Sequence, residues 1–301
     1  MPPNIAANVP NHLVIGARTG FLAAIPEVVQ PYQQIAQVFP MNAKTVTLTD
    51  IGAAPLPLPS TGKNKVQNFI EKALQITAKD WEIVVGISHN AIQDDQTGDL
   101  NRKVRGAGEG FQTWINSESF QALNDGDTVN YGKCYDDLYF YSNSHVDKGA
   151  DYQTVQDNLN ALALSLDNFT TVKVAANKFK NDRGKPTRYN YNLLVVSPEL
   201  EYTAGQICLN TEAYDTANRE KNPYAGVTRY LVAPEFDSTA WALVASGQSI
   251  KPIIIGEREA PNLISAWFDP DGPEGGVYYF KFYARYVFAY SDWRLVNLGN
   301  S

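Results

Sequence analysis

The clearest pattern of apolar and polar positions lies near the end of the chain. In VYYFKFYARYVFAY (277–290), every second residue from Tyr278 to Tyr290 is aromatic or alanine, whereas Lys281 and Arg285 lie on the opposite face. A period of two residues over this length is typical of a β-strand with one buried face. The pattern predicts a long strand here.

A second strong pattern, with a period of three to four residues, covers residues 99–124. Its apolar positions predict an amphipathic helix of 26 residues, about 39 Å long. Thr97 or Asp99 is expected to cap its start, and the run Asn124-Asp125-Gly126 is expected to end it. The apolar positions are Leu100, Val104, Ala107, Phe111, Trp114 and Ile115.

Three glycines, Gly106, Gly108 and Gly110, interrupt this helical pattern. Each costs about 1 kcal/mol relative to alanine inside a helix. Burial of Phe111 and Trp114 returns roughly 1.5–3 kcal/mol for each side chain. We therefore expect the helix to form and to be able to bend at the glycines.

The chain before this helix is expected to be largely extended. Residues 1–25 contain few charges, three prolines and no sustained period, which predicts an extended arm, and residues 27–39 predict a short helix. Residues 43–50 and 76–88 predict two strands of a hairpin. The prolines between them exclude a central strand from the hairpin tip, and ordering such a long tip costs entropy that burial against a neighbouring subunit would offset.

The middle of the chain predicts a mixed α/β subdomain over residues 151–270. Residues 134–142 before it are expected to form a strand. Within the subdomain, residues 152–169 predict a helix, and YNYNLLVVSPEL (189–200) predicts a strand that runs into a helix start. Further short strands are expected in TRYLVAPEF, WALVA and PIIIGERE.

Composition narrows the class of function. The formal net charge of −7 and pI of about 5.1 argue against tight, non-specific nucleic-acid binding, although a local basic patch stays open. Cys134 and Cys208 lack neighbours at zinc-ligand spacing and are expected to be buried thiols. The sequence contains no apolar run of membrane-spanning length and no signal-peptide pattern, which predicts a chain made and kept in the cytosol.

One stretch, EIVVGISHNAIQDD (82–95), contains a candidate catalytic serine, because Ser88 lies in a turn at the end of an apolar strand. A hydrolase elbow needs a second glycine, and here that position is Asn90. A triad histidine would have to come late, yet the last histidine is His145. A serine hydrolase is therefore a distant alternative. Gly86 is expected to allow a bend at a mechanical joint, and Ser88 or Asn90 is expected to satisfy exposed backbone groups there.

No other set of residues predicts catalysis or metal binding. Asp94 and Asp95 are expected to charge the approach to a helix start rather than to form a carboxylate pair. The three histidines are too scattered for a metal site. Two carboxylate pairs, Asp136 with Asp137 and Glu257 with Glu259, are expected to be solvated or paired with Arg258 and nearby bases. Trp293 is expected to anchor the core or an interface.

Three segments carry a resemblance to a known family. ITAKDWEIVVGISHNAIQDDQTG, CYDDLYFYSNSH and the closing ARYVFAYSDWRLVNLGNS resemble the major capsid (major head subunit) proteins of Mu-like tailed phages, which have the Hong Kong 97-type fold. The resemblance implies an α+β fold with an N-terminal arm over 1–42 and an E-loop hairpin over 43–85. It also implies a P-domain over 86–150 and 271–301, with its spine helix at about 99–124, and a mixed α/β A-domain over 151–270.

The resemblance also implies what the protein does. It predicts a non-enzymatic subunit that assembles into hexamers and pentamers of an icosahedral head in the host cytoplasm, encloses double-stranded DNA without sequence-specific binding and needs no cofactor. Scaffold, portal and decoration proteins are further expected partners, and no membrane is expected. An encapsulin-like nanocompartment shell is the alternative of related fold. The candidate structural and interface residues are Pro57, Lys63, Lys65, Trp81, Gly86, Asp94, Asp95, Gly106, Gly108, Gly110, Trp114, Arg258 and Trp293.

Overall fold

The computed structural model describes residues 4–5, 8–51, 71–94, 98–146, 154–212 and 221–300. Five α-helices lie in these ranges: α1 (Asn11–Ala24), α2 (His89–Gln93), α3 (Asp99–Asn124), α4 (Leu166–Ala176) and α5 (Glu201–Leu209). The strands of the first half are β1 (Asn4–Ile5), β2 (Ala36–Pro40), β3 (Thr45–Ile51), β4 (Glu71–Thr77) and β5 (Lys79–Ser88). Those of the second half are β6 (Leu159–Asn160), β7 (Leu193–Val196), β8 (Arg229–Val232), β9 (Trp241–Val244), β10 (Ile253–Asp269), β11 (Val277–Tyr290) and β12 (Val296–Gly299).

The first sheet is built on the three long strands β5, β10 and β11. β11 pairs with both of the others in antiparallel register, and the short strands β1 and β2 add to β10 in parallel. The even-numbered residues from Tyr278 to Tyr290 are buried, so the predicted alternation of this strand is confirmed. In β5, the odd-numbered residues from Trp81 to Ile87 are half-buried or buried, while the even-numbered residues from Asp80 to Gly86 are exposed.

Two helices cover the inner face of this sheet. α3 has the predicted bounds Asp99–Asn124 and buries Val104, Phe111 and Ile115. The residue before it, Gly98, has a φ of 73°, and Asp125 follows its last turn. The structure thus confirms the length of the predicted long helix.

The expectation of an extended arm over residues 1–25 is wrong for its second half. Residues 11–24 form α1, which packs along α3 and buries Leu13, Ala17 and Phe21. Its apolar positions recur every three to four residues, but glycines interrupt the stripe and weaken the pattern. The partner helix stabilises α1 by burying this face, and that contact joins residues far apart in sequence.

A two-stranded hairpin leaves the body before β5. β3 and β4 pair in antiparallel register from Thr45 with Thr77 to Ile51 with Glu71. Seven pairs extend about 24 Å at the usual rise per residue. A hairpin is therefore present, but its second strand is β4, whereas most of the predicted second strand, residues 76–88, forms β5 and pairs with β11. The Pro-rich part of the predicted tip lies outside the described residues.

The second sheet has the order β6, β12, β9, β7, β8. Its central strands β7, β9 and β12 are buried at every residue. α4 packs on β12, and α5 packs on β7 and β8. This confirms the strands predicted within YNYNLLVVSPEL, TRYLVAPEF and WALVA and the helix start after Ser197, whereas PIIIGERE leads into the 17-residue strand β10 of the first sheet.

Three local predictions are wrong. Residues 31–34 form a short 3₁₀ helix and residues 36–40 the strand β2, where a single helix was expected. Residues 134–142 form turns rather than a strand. Within 152–169, the described residues run in extended and irregular conformation until α4 begins at Leu166.

Sheet pairing divides the chain differently from the expected boundary at residue 270. β10 lies in the first sheet between β11 and the short strands. β12, near the end of the chain, lies in the second sheet. In the part of the chain that the structure describes, no helix is long and apolar enough to cross a membrane.

Candidate assembly site

The root of the hairpin, the end where Thr45 pairs with Thr77, packs on a small apolar cluster. Met41, Ile76, Ala78 and Ala289 are its buried members. A Cβ at Gly256 would lie 2.6 Å from the sulfur of Met41 and 2.7 Å from a methyl group of Val287. The absence of a side chain on β10 therefore lets the hairpin root approach the first sheet.

Arg258 helps to fix this root. Its Nη1 donates to the carbonyl oxygen of Met41 at 3.2 Å. The backbone N–H of Met41 donates to the carbonyl of Glu257 at 2.7 Å, and the Glu257 carboxylate accepts from the Tyr286 hydroxyl at 2.5 Å. In this hairpin root, Arg258 bonds to a backbone carbonyl, rather than to the neighbouring carboxylates that the sequence suggested.

The joint after β5 is a strand that passes directly into a short helix. The Ser88 hydroxyl accepts a hydrogen bond from the backbone N–H of Ala91 at 3.3 Å and caps α2. The His89 N–H donates to the carbonyl of Gly276 at 2.8 Å, and its ring lies against Tyr278, with Nδ1 3.3 Å from the phenol oxygen. The loop between β10 and β11 thereby holds the joint in place.

Ser88 therefore has a structural role in this joint. Its hydroxyl is engaged as a helix cap, which the sequence had suggested for Ser88 or Asn90. His89 follows it directly in sequence and contacts Tyr278 and Phe268. This geometry is that of a capped helix start rather than of a nucleophile oriented by a base.

Gly86 does not form the bend that was expected. It lies inside β5 opposite Tyr279, and the strand continues through it to Ser88. A Cβ at this position would lie 3.0 Å from the ring of Tyr279. Gly86 therefore makes room for that ring, which stacks on Trp267 at a centroid distance of 5.2 Å.

Two of the predicted residues, Trp81 and Trp114, meet beneath α3. Their ring centroids are 4.5 Å apart, and the indole N–H of Trp81 donates to the carbonyl of Tyr286 at 3.3 Å. Trp114 also contacts Phe111 at 5.2 Å and Phe288 at 5.6 Å. This aromatic cluster joins α3 to β5 and β11.

A cavity of about 190 Å³ opens beside this cluster. Its wall combines the indole of Trp81 with the aromatic rings of Tyr131 and Phe288, and Lys79 and Glu118 add opposite charges. The Tyr131 hydroxyl donates to Glu118 at 2.9 Å. Burial, together with this carboxylate, raises the pKa of the Tyr131 phenol.

The three glycines of α3 have different surroundings. A Cβ at Gly108 would lie 2.5 Å from the carbonyl oxygen of Phe21 and 3.1 Å from the Cβ of Ala24. At Gly106 and Gly110 a Cβ would meet no atom within 4 Å. Gly108 therefore permits the close approach of α1, whereas the other two glycines face open space.

A buried polar cluster links the end of the chain to residues 135–145. Asp136 and His145 are fully buried, with 2.6 Å between Oδ2 and Nδ1. The His145 ring stacks on Trp293 at 4.2 Å, and the guanidinium of Arg294 lies 4.3 Å from the Trp293 ring. The Tyr135 hydroxyl lies 2.5 Å from Arg294.

This cluster was only partly visible in the sequence. Trp293 was identified as an anchor, but Asp136 was expected to be solvated or paired with a base, and His145 was given no partner. Both residues lie in CYDDLYFYSNSH, one of the segments that carry the family resemblance. The contact of His145 with Trp293 spans about 150 positions, and no local period in the sequence indicates a contact over such a distance.

The two cysteines are buried thiols, as predicted. Burial raises the pKa of Cys134 well above its ordinary value and that of Cys208 to about 11. Among the described residues, no group of three or more His, Cys, Asp or Glu side chains is arranged to hold a metal ion.

Several large apolar side chains are exposed at the surface. Ile15 of α1 is 65% exposed, and Tyr202 and Leu209 of α5 are 76% and 64% exposed. The two α5 residues border an open groove with Tyr230 of β8. These positions are candidate contact points for other subunits.

The remaining predicted residues are only partly placed. Asp94 is exposed and ends α2, so it lies at the approach to α3. Pro57, Lys63, Lys65 and Asp95 lie outside the described residues.

Comparison with known families gives a match over just over half of the chain. A family model described as Mu-like prophage major head subunit gpT matches residues 11–162. This range includes α1, the hairpin, the joint and α3. No curated protein matches the chain.

Solved structures share the fold at low sequence identity. A chain from the capsid of bacteriophage JBD30 decorated with minor capsid protein trimers is 19% identical with a TM-score of 0.56, over 70% of this chain and 92% of that one. The capsid of a native GTA particle is 16% identical with a TM-score of 0.54, over 91% of each chain. A virus-like particle from Pyrococcus furiosus is 9% identical with a TM-score of 0.54, over 95% of this chain and 99% of that one.

The α+β architecture described above is thus that of phage capsid proteins, and the family match covers the hairpin, the joint and the long helix. The chain belongs to the Mu-like prophage major head subunit gpT family and is a capsid shell protein.

Proposed function

We propose that this shell protein assembles into the hexamers and pentamers of an icosahedral phage head that encloses double-stranded DNA. The family match carries the proposal. Assembly takes place in the host cytoplasm, with scaffold, portal and decoration proteins as further partners. The family role is structural, and we infer that the chain catalyses no reaction.

The hairpin supports this proposal because only a small apolar cluster joins its root to the first sheet. A two-stranded hairpin is marginally stable in water when it stands alone. Here four buried residues hold the root, with Val46, Leu48 and Leu74 partly buried against them, and three further pairs, from Thr49 with Ala73 to Ile51 with Glu71, lie beyond this cluster. Contact with a neighbouring subunit would stabilise the outer part, and many modest contacts per subunit add up in a closed shell.

Sheet pairing supports a division of the chain into capsid-type domains. We assign the E-loop to β3, β4 and the segment between them, and the P-domain to the first sheet with α1 and α3. The A-domain then comprises residues 154–250 and 291–300, since β12 completes the second sheet. β10, which the sequence placed in the A-domain, belongs to the P-domain in this division.

Expression of the chain alone and with a scaffold, followed by size exclusion and negative-stain microscopy, tests assembly. We expect closed particles, and soluble monomers under both conditions would contradict the proposal. The Ser88→Ala variant should also give intact particles, because its hydroxyl only caps a five-residue helix. DNA absorbance in particles from infected cells separates a phage head from an encapsulin-like shell, which the family match does not favour.

A second test concerns the hairpin tip. Replacing residues 52–70 with Asn-Gly would close the hairpin directly after the pair Ile51 and Glu71, because this dipeptide favours a two-residue turn. The subunit should still fold, since its described core lies elsewhere, but particles should fail to form. Normal particles from this variant would show that the tip makes no essential contact.

A further inference from the structure

A short loop at residues 178–188 has the opposite charge to the chain as a whole. It follows α4 and has one acidic residue, Asp182, in a protein whose formal net charge is −7. Its basic residues are Lys178, Lys180, Arg183, Lys185 and Arg188. The loop therefore concentrates a fifth of the 25 basic residues in a small part of the surface.

The backbone of this loop is held by hydrogen bonds. The side chain of Gln156 accepts from the N–H of Lys180 at 2.6 Å and donates to its carbonyl at 3.1 Å. Arg294 Nε donates to the same carbonyl at 2.9 Å. The Asn181 side chain accepts from the N–H groups of Arg183 and Lys185 at 3.1 and 2.9 Å. These bonds preorganise the loop.

The acidic residue of the loop is buried, whereas three of its basic residues are exposed. Asp182 is only 2% exposed, and Phe179 is buried against Trp293 at 5.4 Å. In contrast, Lys178, Lys185 and Arg188 are exposed. The loop thus covers its acid and its aromatic ring and presents cations to its surroundings.

The exposed surface of the loop suits phosphate better than another protein. None of the exposed residues in 178–188 is a large apolar side chain, whereas the cores of protein interfaces are rich in aromatic residues and depleted in lysine. Phosphate groups of nucleic acid are contacted mainly by lysine, arginine and side-chain amides. Asn177, next to Lys178, is an exposed amide of this kind.

We propose that residues 178–188 form a binding surface for the phosphate backbone of packaged double-stranded DNA, with Lys178, Lys185 and Arg188 as the contacting residues. This inference rests on the proposed function as a DNA-enclosing head. One loop per subunit gives a weak site that the shell repeats many times, and repeated weak sites hold a polymer by avidity. Phosphate contacts carry no sequence information, so any packaged DNA binds equally.

The test compares two variants with the same change in charge. Lys178→Gln/Lys185→Gln/Arg188→Gln removes the exposed cations of the loop. Arg18→Gln/Lys133→Gln/Lys221→Gln removes three exposed cations from other parts of the surface. Binding of unassembled full-length subunits to a fluorescent DNA duplex is measured by anisotropy at several salt concentrations.

We expect the wild-type chain and the control to bind the duplex weakly and with a clear salt dependence. Each phosphate contact contributes about 0.9 to the slope of log affinity against log salt, so the loop variant should lose about 2.7 from this slope. Its affinity at low salt should fall about tenfold or more. Absence of DNA binding by the wild-type chain, or equal losses in both variants, would overturn the inference.

Two further measurements make the outcome specific. Circular dichroism tests folding, and the charge-conserving Lys178→Arg/Lys185→Arg variant should keep DNA binding if the charges matter. Microscopy of the loop variant should show normal particles, since the proposal gives the loop no part in assembly. If the loop variant forms no particles but binds DNA as the wild type does, the loop instead contacts a second copy of the chain. If the wild-type chain itself forms no particles, that result counts against the proposed head function and not against DNA binding by the loop.

Discussion

Gly108 gives the sharpest test of the packing between α1 and α3. Gly108→Ala adds one methyl group that would lie 2.5 Å from the carbonyl oxygen of Phe21 and 3.1 Å from the Cβ of Ala24. A backbone carbonyl cannot rotate away as a flexible side chain can, so the two helices must move apart. Gly106→Ala and Gly110→Ala are matched controls, because a Cβ at either position meets open space.

The expected magnitudes follow from two opposing terms. Replacing glycine with alanine inside a helix stabilises it by about 1 kcal/mol, and this gain should appear in full for the two controls. Overpacking typically costs about 1–3 kcal/mol, so Gly108→Ala should range from neutral to about 2 kcal/mol destabilising. The free energy of unfolding should therefore differ by about 1–3 kcal/mol between Gly108→Ala and either control.

Urea unfolding followed by tryptophan fluorescence measures this difference. With a denaturant slope of about 2–3 kcal/mol per M, 1 kcal/mol corresponds to a midpoint shift of about 0.3–0.5 M. Equal stabilisation by all three substitutions would refute the close contact between α1 and α3. The controls also test whether α3 must bend, since normal assembly and maturation of the Gly106→Ala and Gly110→Ala variants would argue against a hinge at these positions.

Three further predictions concern the hairpin root, the buried polar cluster and the thiols. Gly256→Ala should loosen the hairpin root, because the added Cβ would overlap the side chains of Met41 and Val287. Limited proteolysis should therefore cut the hairpin faster in this variant than in the control Gly247→Ala, which adds a methyl group at an open position. Asp136→Ala should destabilise the fold by about 1–3 kcal/mol because it leaves buried His145 without its partner, and Asp136→Asn, which still accepts a hydrogen bond, should cost less in the same urea assay. Burial raises the pKa of Cys208 from 9.0 to about 11, so its stabilising contribution is complete below pH 9 and is lost as pH rises towards 11. Cys208→Ala should flatten the plot of unfolding free energy against pH between pH 9 and 11. An unchanged plot would contradict the assignment of this pH dependence to Cys208.

Periodic patterns in the sequence predicted the long elements well. The bounds of α3 and the alternation of β11 follow from local sequence, since each element buries one continuous face against the body. The strands β3, β5, β7, β8 and β9 were also predicted, because apolar runs bounded by proline, glycine or polar residues leave few alternatives. The cap formed by Ser88 was visible for the same local reason.

Two of the failed predictions, those for α1 and for Gly86, have the same physical cause, a contact between residues far apart in sequence. α1 is a helix because Gly20, Gly108 and the small residues around them let two helices approach closely, a contact between residues about 90 positions apart. Gly86 was expected to bend the chain, but its lack of a side chain serves the ring of Tyr279 on another strand.

The sequence by itself determined that this protein has a long amphipathic helix, a projecting hairpin, an aromatic closing strand and a resemblance to phage head subunits. Only the tertiary structure decided which strands share a sheet and which charges are buried. It placed β10 with β11, brought Asp136 and His145 beside Trp293, and exposed the cations of residues 178–188. Local sequence fixes the period of each element, but the contacts between elements depend on partners that the fold alone brings together.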